Sequence, residues 1–349
     1  MAADAANDLS VSVVVPVYGT DPGLFARCLE SIAAAWDSPL GLELIVVFDG
    51  TPSADLASVA SSFSGGATKV IEQIQSGVSS ARNTGLRHTQ AKWIAFVDSD
   101  DALPPLSLRH LVRYGEDYGC DVVFGNHRKV MSSGEETVLY SRDDIAPSGS
   151  FKARLQHDVL NPTKGASPLW GKVYCRATIE RLGIRFNESL RIGEDTDFVF
   201  RLLSASERLG FIGECTYIYY RNDSSSTMSF NRGYADDVVR SMRAMSVNVS
   251  QLGDAEAYSD DLATYCLFHL MLIMVHYVFN SKARWSASQQ KRAYSCVLDE
   301  AIFRDSLDRR GPSGFGISRN IMIFSMKHRI FCLSKAISAA REMQMRGRK

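Results

Sequence analysis

Short runs of apolar, largely β-branched residues alternate with helical patterns through the first part of the chain. Such runs predict buried strands, and they fall at residues 11–17, 42–48, 70–74, 93–97 and 121–125. Between them, apolar residues recur at helical spacing behind start signals such as Asp21 followed by Pro22. Strands alternating with helices indicate βαβ units and a mostly parallel sheet, which binds ligands at the carboxyl ends of its strands.

The pattern becomes less regular in the middle of the chain. Residues 134–164 predict a hairpin, loops and a short helix, and residues 192–203 predict a helix that begins near Glu194. Residues 216–221 form a strand-like run that ends in Arg221. Beyond about residue 234 the chain favours long helices.

One of these helical stretches, residues 262–279, contains no Lys, Arg, Asp or Glu and approaches the length that spans a bilayer. It also contains Thr264, Tyr265, His269 and His276, which weaken that interpretation. The pattern favours a helix buried in a C-terminal bundle, with a membrane-inserted helix as the alternative.

The last stretch, residues 317–349, is strongly basic. It carries eight Lys and Arg residues against Glu342 alone, with apolar residues interleaved among them. This pattern predicts a basic amphipathic helix suited to peripheral contact with an anionic membrane. A solvated helix that closes the domain is the equally open alternative.

Composition adds little to this picture. The 39 basic residues balance 39 acidic ones over 349 residues, so a general nucleic-acid binder is not indicated. The seven cysteines are scattered, odd in number and without a C-x-x-C pair, which favours reduced thiols in the cytoplasm over a disulfide framework or zinc site. The acidic N-terminus has no apolar segment of the kind found in a signal peptide.

Candidate chemistry is concentrated at the end of the run W-I-A-F-V, where Asp98, Asp100 and Asp101 follow within four positions. Crowded carboxylates repel one another unless a cation balances them, and Mg²⁺-type ions join carboxylates to substrate phosphates. By itself, the cluster fits either a metal site or an acidic turn that caps the next helix.

Asp49 also ends a predicted strand, so that its position and that of Asp98 indicate a nucleotide-type site. The loop after the first strand, Y-G-T-D-P-G, lacks the G-x-G-x-x-G of a dinucleotide-binding turn. The chain also lacks the G-x-x-x-x-G-K-[ST] phosphate loop.

Seven stretches, taken together and in order over about residues 11–226, resemble the inverting family 2 glycosyltransferases. They are S-V-V-V-P-V-Y-G, E-L-I-V-V-F-D-G, G-V-S-S-A-R-N-T-G-L, W-I-A-F-V-D-S-D-D, L-W-G-K-V-Y, G-E-D-T-D-F and Y-Y-R-N-D-S-S-S. The resemblance is to bacterial enzymes that build capsule, O-antigen or other surface polysaccharides. It implies the α/β GT-A fold, a Rossmann-like, mostly parallel central sheet flanked by helices, followed here by a mainly α-helical C-terminal region.

The resemblance implies a nucleotide-sugar donor, most often a UDP-sugar. Pro16, Val17 and Tyr18 would lie against the base, and Asp49 would accept a hydrogen bond from the uracil. The usual D-D-G-S of the family is F-D-G-T here, with Phe48 in place of one aspartate. A turn residue before Gly50 is the alternative for Asp49.

Further donor-site residues are implied on both sides of the acidic cluster. Arg82 would touch the base or a phosphate, or would be a surface arginine of its helix, and Ser99 would join the donor site. Trp170 and Lys172 would shape the donor or acceptor pocket, or would be a packed tryptophan and a surface lysine. Arg221 would meet the diphosphate.

The acidic residues acquire roles by the same resemblance. Asp100 would coordinate Mn²⁺ or Mg²⁺, Asp98 would contact the ribose or the metal, and we expect Asp101 to cap the next helix rather than to orient a metal ligand. Asp195, in G-E-D-T-D-F, matches the catalytic base of the family. Its neighbours Glu194 and Asp197 are rivals for that role, or ordinary first-turn residues.

The expected protein is therefore a metal-dependent glycosyltransferase with a GT-A domain over residues 1–230 and a helical region over 231–349. The nucleotide-sugar site would occupy about residues 11–126 and the acceptor and catalytic part about 150–230. The alternatives are a nucleotidyltransferase like the sugar-nucleotide pyrophosphorylases and an inactive partner subunit of a polysaccharide assembly complex. A processive polymerase is disfavoured, because several membrane spans and a Q-x-x-R-W-type motif are missing from the sequence.

Overall fold

The computed structural model describes residues 10–131, 134–138, 145–220, 230–310 and 315–346, and its chain divides into two units. Met1–Val159 and Lys164–Arg221 belong to the first unit, and Leu160–Thr163 and Asn222–Lys349 to the second. The domain limits drawn from the sequence, 1–230 and 231–349, stay a prediction.

A mixed sheet forms the centre of the first unit. Its strands are β1 (Val11–Val17), β2 (Leu42–Asp49), β3 (Ala67–Gln73), β4 (Trp93–Phe96), β5 (Val122–Met131), β6 (Gly134–Val138), β7 (Lys172–Cys175) and β8 (Leu209–Tyr220). They are ordered β3-β2-β1-β4-β7-β5-β6, with β8 paired to β5. The strands β3, β2, β1 and β4 are parallel, as is the pair of β5 and β8, whereas β7 runs antiparallel to both neighbours. A hairpin was expected within residues 134–164, whereas the antiparallel pair in the structure is formed by β5 and β6, and only β6 falls in that range.

Seven helices surround the sheet in the described part of this unit. They are α1 (Pro22–Trp36), α2 (Ala54–Ser61), α3 (Val78–His88), α4 (Ser107–Tyr118), α5 (Gly149–Val159), α6 (Arg176–Leu182) and α7 (Glu194–Ala205). The start of α1 follows the predicted signals, because the Asp21 side chain accepts hydrogen bonds from the backbone amides of Gly23 and Leu24. The apolar faces of α1, α2 and α4 close a core against one side of the sheet.

The packing of α3 against β1 depends on one small residue. A Cβ atom placed on Gly85 would lie 2.3 Å from Cγ1 of Val14, so only glycine allows this close approach. Arg82 lies one turn earlier in α3. The close approach at Gly85 therefore also sets how far the Arg82 side chain lies from the sheet.

The second unit is helical, as predicted. It contains α8 (Tyr234–Ser250), α9 (Ser259–Ile273), α10 (Ala287–Asp299), α11 (Ala301–Arg309), α12 (Ile317–Lys327) and α13 (Phe331–Arg346). Within the described residues, one helical stretch, Ala255–Val278, is long and apolar enough to cross a membrane, and 61% of its most apolar window is buried in the protein. For residues 262–279, this burial favours the predicted helix packed in a C-terminal bundle over the membrane-inserted alternative.

The tail differs from the single amphipathic helix expected over residues 317–349, and that expectation is wrong. The chain breaks between α12 and α13, where Arg329 adopts a left-handed conformation with φ of 54°. At the break, the Ile330 amide bonds to the carbonyl of Ser325, which closes the end of α12. Met322, Ile323 and Met326 of α12 are buried, so one face of this helix belongs to the core of its unit.

We predict that Gly85→Ala destabilises the protein, because the added methyl group collides with Val14. Overpacking of this kind costs about 1–3 kcal/mol, whereas the better helix propensity of alanine returns at most about 1 kcal/mol. Gly149→Ala is the control, since a Cβ atom there meets no atom within 4 Å. The measurement is the urea midpoint of unfolding. A Gly85→Ala midpoint at or above that of Gly149→Ala would contradict the predicted close packing.

Candidate active site

The carboxyl ends of β1, β2 and β4 lie side by side in the sheet, and the loops that follow them carry the predicted donor-binding residues. Asp49, at the end of β2, is buried and accepts hydrogen bonds from Nε2 of Gln73 and from the backbone amides of Ser76 and Gly77, each at 2.8 Å. These bonds fix the turn that leads into α3. The turn role expected as the alternative for Asp49 is thus present in the structure, and its contact with uracil stays a prediction.

The three residues expected against the base differ in what they offer a ligand. Tyr18 is 66% exposed, so its ring is available for stacking. Val17 is buried in the core, which leaves its backbone rather than its side chain for a ligand. Pro16 is partly buried within β1. The Oγ of Ser99 lies 2.6 Å from Oγ1 of Thr20, and this bond ties the loop after β1 to the acidic segment after β4.

Asp101 does not cap the next helix, so that expectation is wrong. Its carboxylate is fully buried and accepts hydrogen bonds from the Tyr217 hydroxyl and the Tyr220 amide, both at 2.8 Å, while α4 starts at Ser107 without a side-chain cap. Burial and the negative charge of Asp98 raise the pKa of Asp101 to about 8. The residue therefore anchors the acidic segment to β8.

Tyr217 was not singled out by the sequence, although it organises the same segment. Its hydroxyl donates to Asp101 and accepts a hydrogen bond from the backbone amide of Asp98 at 3.1 Å. Arg27 of α1 adds a further contact, because it donates to the backbone carbonyl of Asp100 at 2.6 Å and lies over the Tyr220 ring at 3.7 Å. The aromatic run T-Y-I-Y-Y was the available signal, but a strand pattern alone does not reveal which hydroxyl meets a carboxylate.

Arg82 joins the acidic segment to the start of α7. Its Nη2 donates to Oδ1 of Asp98 at 3.0 Å, and its Nη1 donates to Oδ1 of Asp195 at 2.5 Å and to Oε1 of Glu194 at 3.4 Å. The guanidinium is buried beside the Phe186 ring, and the carboxylates raise its pKa further above the ordinary value. The surface-arginine alternative is therefore wrong.

Asp195 stands in the first turn of α7, where the helix dipole favours an ionised carboxylate. An aromatic cluster holds this helix in place, because Phe198 stacks on Phe186 at 4.1 Å and meets Phe96 and Tyr174 edge-on. Burial raises the pKa of Asp195 to about 7, and the charge of Arg82 opposes that rise. The carboxylate is still 26% exposed, so an acceptor can reach it.

The two rivals of Asp195 are placed differently. Asp197 is buried and pairs with Arg201 of the same helix at 2.6 Å, which makes it a structural residue of α7. Glu194 is more distant from Arg82 than Asp195 is, at 3.4 Å. Asp195 thus makes the shorter bond to the shared guanidinium, and its role as the base stays a prediction supported by this placement.

Lys172 is not the surface lysine that the alternative described. It is buried, its ammonium donates to the carbonyls of Pro168 at 2.5 Å and Trp170 at 3.3 Å, and it lies over the Phe124 ring at 4.8 Å. Burial lowers its pKa to about 7, although the charge of Asp195 opposes the change. Trp170 stacks on Tyr217 at 4.4 Å, so both residues support the loop before β7.

Arg221, expected at the diphosphate, lies outside the described residues, and its role stays a prediction. Asn83, next to Arg82 in α3, is buried, and its side-chain amide donates to the carbonyl of Phe186 at 3.0 Å and to Glu188 at 2.8 Å. These bonds link α3 to the segment that precedes α7. They support the Arg82 bridge from the neighbouring position in sequence.

The carboxylates of Asp98 and Asp100 suit a divalent cation whose remaining ligands come from a bound substrate. Within the described residues, no group of three or more His, Cys, Asp or Glu side chains is arranged to hold a metal ion. Mg²⁺-type ions are commonly held by one or two carboxylates together with substrate phosphates. The raised pKa of Asp101 results first from burial and then from the negative charge of Asp98, so a cation beside Asp98 and Asp100 would oppose the second of these causes.

Comparison with known proteins agrees with this architecture. Residues 12–174 match the family model described as glycosyl transferase family 2. The chain is 27% identical over 271 residues to the uncharacterized glycosyltransferase EpsJ of Bacillus subtilis, covering 76% of this chain and 77% of EpsJ. It is 26% identical over 231 residues to the succinoglycan biosynthesis protein ExoO of Rhizobium meliloti, covering 66% of each chain.

The fold is also shared with a solved structure. Residues 1–349 of S. aureus TarS, in complex with UDP-GlcNAc, superpose with a TM-score of 0.68 at 17% identity, covering 96% of this chain and 92% of that one. The predicted GT-A fold followed by a helical region is thereby confirmed. Residues 12–174 thus resemble glycosyl transferase family 2, and the chain is a glycosyltransferase.

Proposed function

We propose that this glycosyltransferase is metal-dependent and inverting, and that it moves a sugar from a UDP-sugar to a hydroxyl group of a glycan or lipid-linked acceptor in surface polysaccharide biosynthesis. The observation that carries the proposal is the Arg82 bridge, because it brings Asp98 and Asp195 to one guanidinium. ExoO, named for succinoglycan biosynthesis, supports the pathway, and the UDP-GlcNAc bound to TarS supports the donor class.

The donor is assigned to the edge of the sheet where β1, β2 and β4 end. The exposed Tyr18 ring offers a stacking surface for the base, and Asp49 is the acceptor nearest the turn before α3. Arg82 is already bonded to carboxylates, so a direct bond to the donor requires that it exchange one of them. We assign the whole reaction to the domain predicted over residues 1–230.

Asp100, with Asp98, would hold Mn²⁺ or Mg²⁺ beside the donor diphosphate. When bound, the ion supplies positive charge to the oxygens of the leaving diphosphate. The chain positions these carboxylates through backbone contacts, since Tyr217 binds the amide of Asp98 and Arg27 binds the carbonyl of Asp100. The segment is therefore held before any ligand arrives, which reduces the ordering that binding requires.

Asp195 is assigned as the general base. Its carboxylate takes the proton of the acceptor hydroxyl while that oxygen attacks the anomeric carbon from the face opposite the nucleotide. The bond from the anomeric carbon to the diphosphate breaks, and its electron pair leaves with the nucleotide diphosphate. Arg82 holds the carboxylate in place and favours its ionised form through the bond to Oδ1.

Given an acceptor of this kind, we assign the enzyme to the cytoplasm, at the inner face of the plasma membrane. We assign the peripheral contact with the membrane to the basic C-terminal tail, because residues 317–349 carry the largest local excess of positive charge in the sequence.

We predict that Asp195→Asn lowers kcat about 10²–10⁴-fold, the usual contribution of a general base. The assay incubates the protein with Mn²⁺, a panel of nucleotide-sugars and candidate acceptors, and measures release of free nucleotide. Asp197→Asn is the matched control, since it alters the same helix turn through the bond to Arg201 and should reduce thermal stability more than kcat. Absence of turnover and binding with every donor would refute the proposed function, as would wild-type activity in both Asp195→Asn and Asp100→Ala.

The pH profile tests the pairing of Arg82 with Asp195. A base must be deprotonated, so kcat/KM should fall below a pH near 7, the raised pKa of Asp195. Arg82→Gln removes the charge that lowers this pKa, so the acid limb should move upward by about 1–3 pH units. Arg82→Lys keeps the charge and should shift the limb less. An acid limb that stays in place in Arg82→Gln would mean that Arg82 does not act on the base.

Metal dependence has its own test. Chelation should abolish nucleotide release and Mn²⁺ should restore it, and Asp100→Asn should raise the Mn²⁺ concentration for half-maximal activity at least tenfold, on the order expected when a ligand environment is damaged. Calorimetric binding of UDP with and without Mn²⁺ gives a readout besides activity. Asp55→Asn, an exposed aspartate of α2, is the control. Equal UDP affinity and activity in chelator and in Mn²⁺ would remove the metal from the proposal.

A further inference from the structure

The end of the second unit exposes an unusual number of apolar side chains. Among the described residues, twelve large apolar side chains are exposed, and five of them lie in the helices α12 and α13 or between them. They are Ile317, Ile321, Phe324, Ile330 and Met343. Scattered single side chains of this kind are ordinary on a surface, whereas such a concentration indicates an interaction site.

The spacing of these residues places them in rows. Ile317, Ile321 and Phe324 follow one another at four and three positions in α12, which puts them on one side of the helix. The opposite side contains Met322, Ile323 and Met326, which are buried in the unit. The helix is therefore apolar on both sides, and only one side is used by the core. We name the exposed row Ile317–Ile321–Phe324 the outer row.

The sequence around the outer row is basic. Residues 309–341 contain seven Lys and Arg residues and no Asp or Glu. Much of this charge is paired from elsewhere in the unit, because Arg309 pairs with Glu256 and Asp260, Arg310 with Asp260 and Arg329 with Asp299, while Lys327 donates to the carbonyl of Leu307. Lys335 of α13 is exposed, and Arg319 of α12 lies close enough to Arg341 to add to the effect of burial in lowering its pKa. Two neighbouring cations of this kind favour an anionic partner.

We propose that the outer row of α12, together with the cationic side chains of α12 and α13, is the surface by which the protein binds an anionic lipid bilayer. An apolar row with an aromatic residue inserts at the boundary between headgroups and acyl chains, while flanking Lys and Arg side chains contact anionic headgroups. This combination fits a bilayer better than it fits a protein partner, because the apolar residues form a line rather than a pocket and the exposed Lys335 of α13 adds a positive charge. The proposal deepens the proposed function and rests on it only for the source of the acceptor.

Binding of the basic tail to a membrane by charge alone is the competing explanation. If charge alone governed attraction to the membrane, removing apolar side chains would have little effect. Insertion of the outer row adds the hydrophobic term, which scales with the apolar area removed from water. The two contributions are therefore separable by substitution, one in the outer row and one among the cations.

The experiment is sedimentation of the full chain with vesicles of phosphatidylcholine alone or mixed with phosphatidylglycerol. We expect binding to the anionic vesicles only, weakened by salt. The double variant Ile321→Ser with Phe324→Ser should bind on the order of tenfold more weakly, from the apolar area it no longer inserts. Its matched control is Val247→Ser, a residue of α8 in the same unit that is 54% exposed. Circular dichroism checks that each variant is folded.

A charge variant tests the electrostatic contribution to vesicle binding separately from the apolar contribution. Lys335→Glu should also weaken binding to anionic vesicles on the order of tenfold, whereas Arg292→Glu, an exposed residue of α10, should not. Equal binding to neutral and anionic vesicles, or wild-type binding in both the double variant and Lys335→Glu, would overturn the proposal. So would light scattering that shows a dimer dissociated by the double variant, because the outer row would then be an interface between two copies.

Nucleotide release with a water-soluble acceptor is measured on the same samples. The double variant should keep this activity, since its substitutions lie outside the candidate active site. Loss of vesicle binding with retained release separates the membrane surface from the chemistry, so that failure of this proposal and failure of the proposed function are distinguishable.

Discussion

The buried guanidinium of Arg82 is the contact on which the arrangement of the active site depends. It bonds to the carboxylate of Asp98, which follows β4 in the chain, and to those of Glu194 and Asp195 at the start of α7. Removing one partner of a buried ion pair leaves an uncompensated charge and typically costs about 3–5 kcal/mol. The bridge therefore fixes the distance between the acidic segment and the helix turn. A change in the charge of any one of these three carboxylates therefore affects the other two.

The bridge in turn depends on how closely α3 approaches the sheet. Gly85 allows that approach, Asn83 ties the helix to the backbone of Phe186, and Phe186 stacks on Phe198 of α7. A second set of bonds, from Tyr217 to Asp98 and Asp101, holds the acidic segment from the side of β8. The site thus has rigid support on both sides before a ligand binds, which is what positioning of reacting groups requires.

The sequence predicted the parallel strands of the first half and the start of α7 near Glu194, because these features depend on local periodicity and on helix start signals. It also brought the segments of the site together, since the family resemblance rests on short motifs that keep their order. It could not reveal that Arg82 is buried against Asp195, more than a hundred residues away, because the partner of a charged side chain depends on the packing of whole elements. The cap expected of Asp101 and the surface alternative for Lys172 were wrong for the same reason. Tertiary burial makes Asp101 an anchor of β8 and Lys172 an internal donor to backbone carbonyls.

The balance of charge gives a physical basis for proposing a metal. In the described part of the chain, Arg82 pairs with Asp98, Glu194 and Asp195, and Asp100 lies in the same segment as Asp98, so these carboxylates outnumber the guanidinium that bonds to them. A nucleotide-sugar carries two phosphate charges into this environment, and repulsion from the carboxylates would oppose its binding. Protonation of buried Asp101 removes only one negative charge at neutral pH, since its pKa is raised to about 8. A divalent cation held by Asp98 and Asp100 would supply the positive charge that offsets this repulsion, and the excess of negative charge would then favour a donor that arrives with its ion.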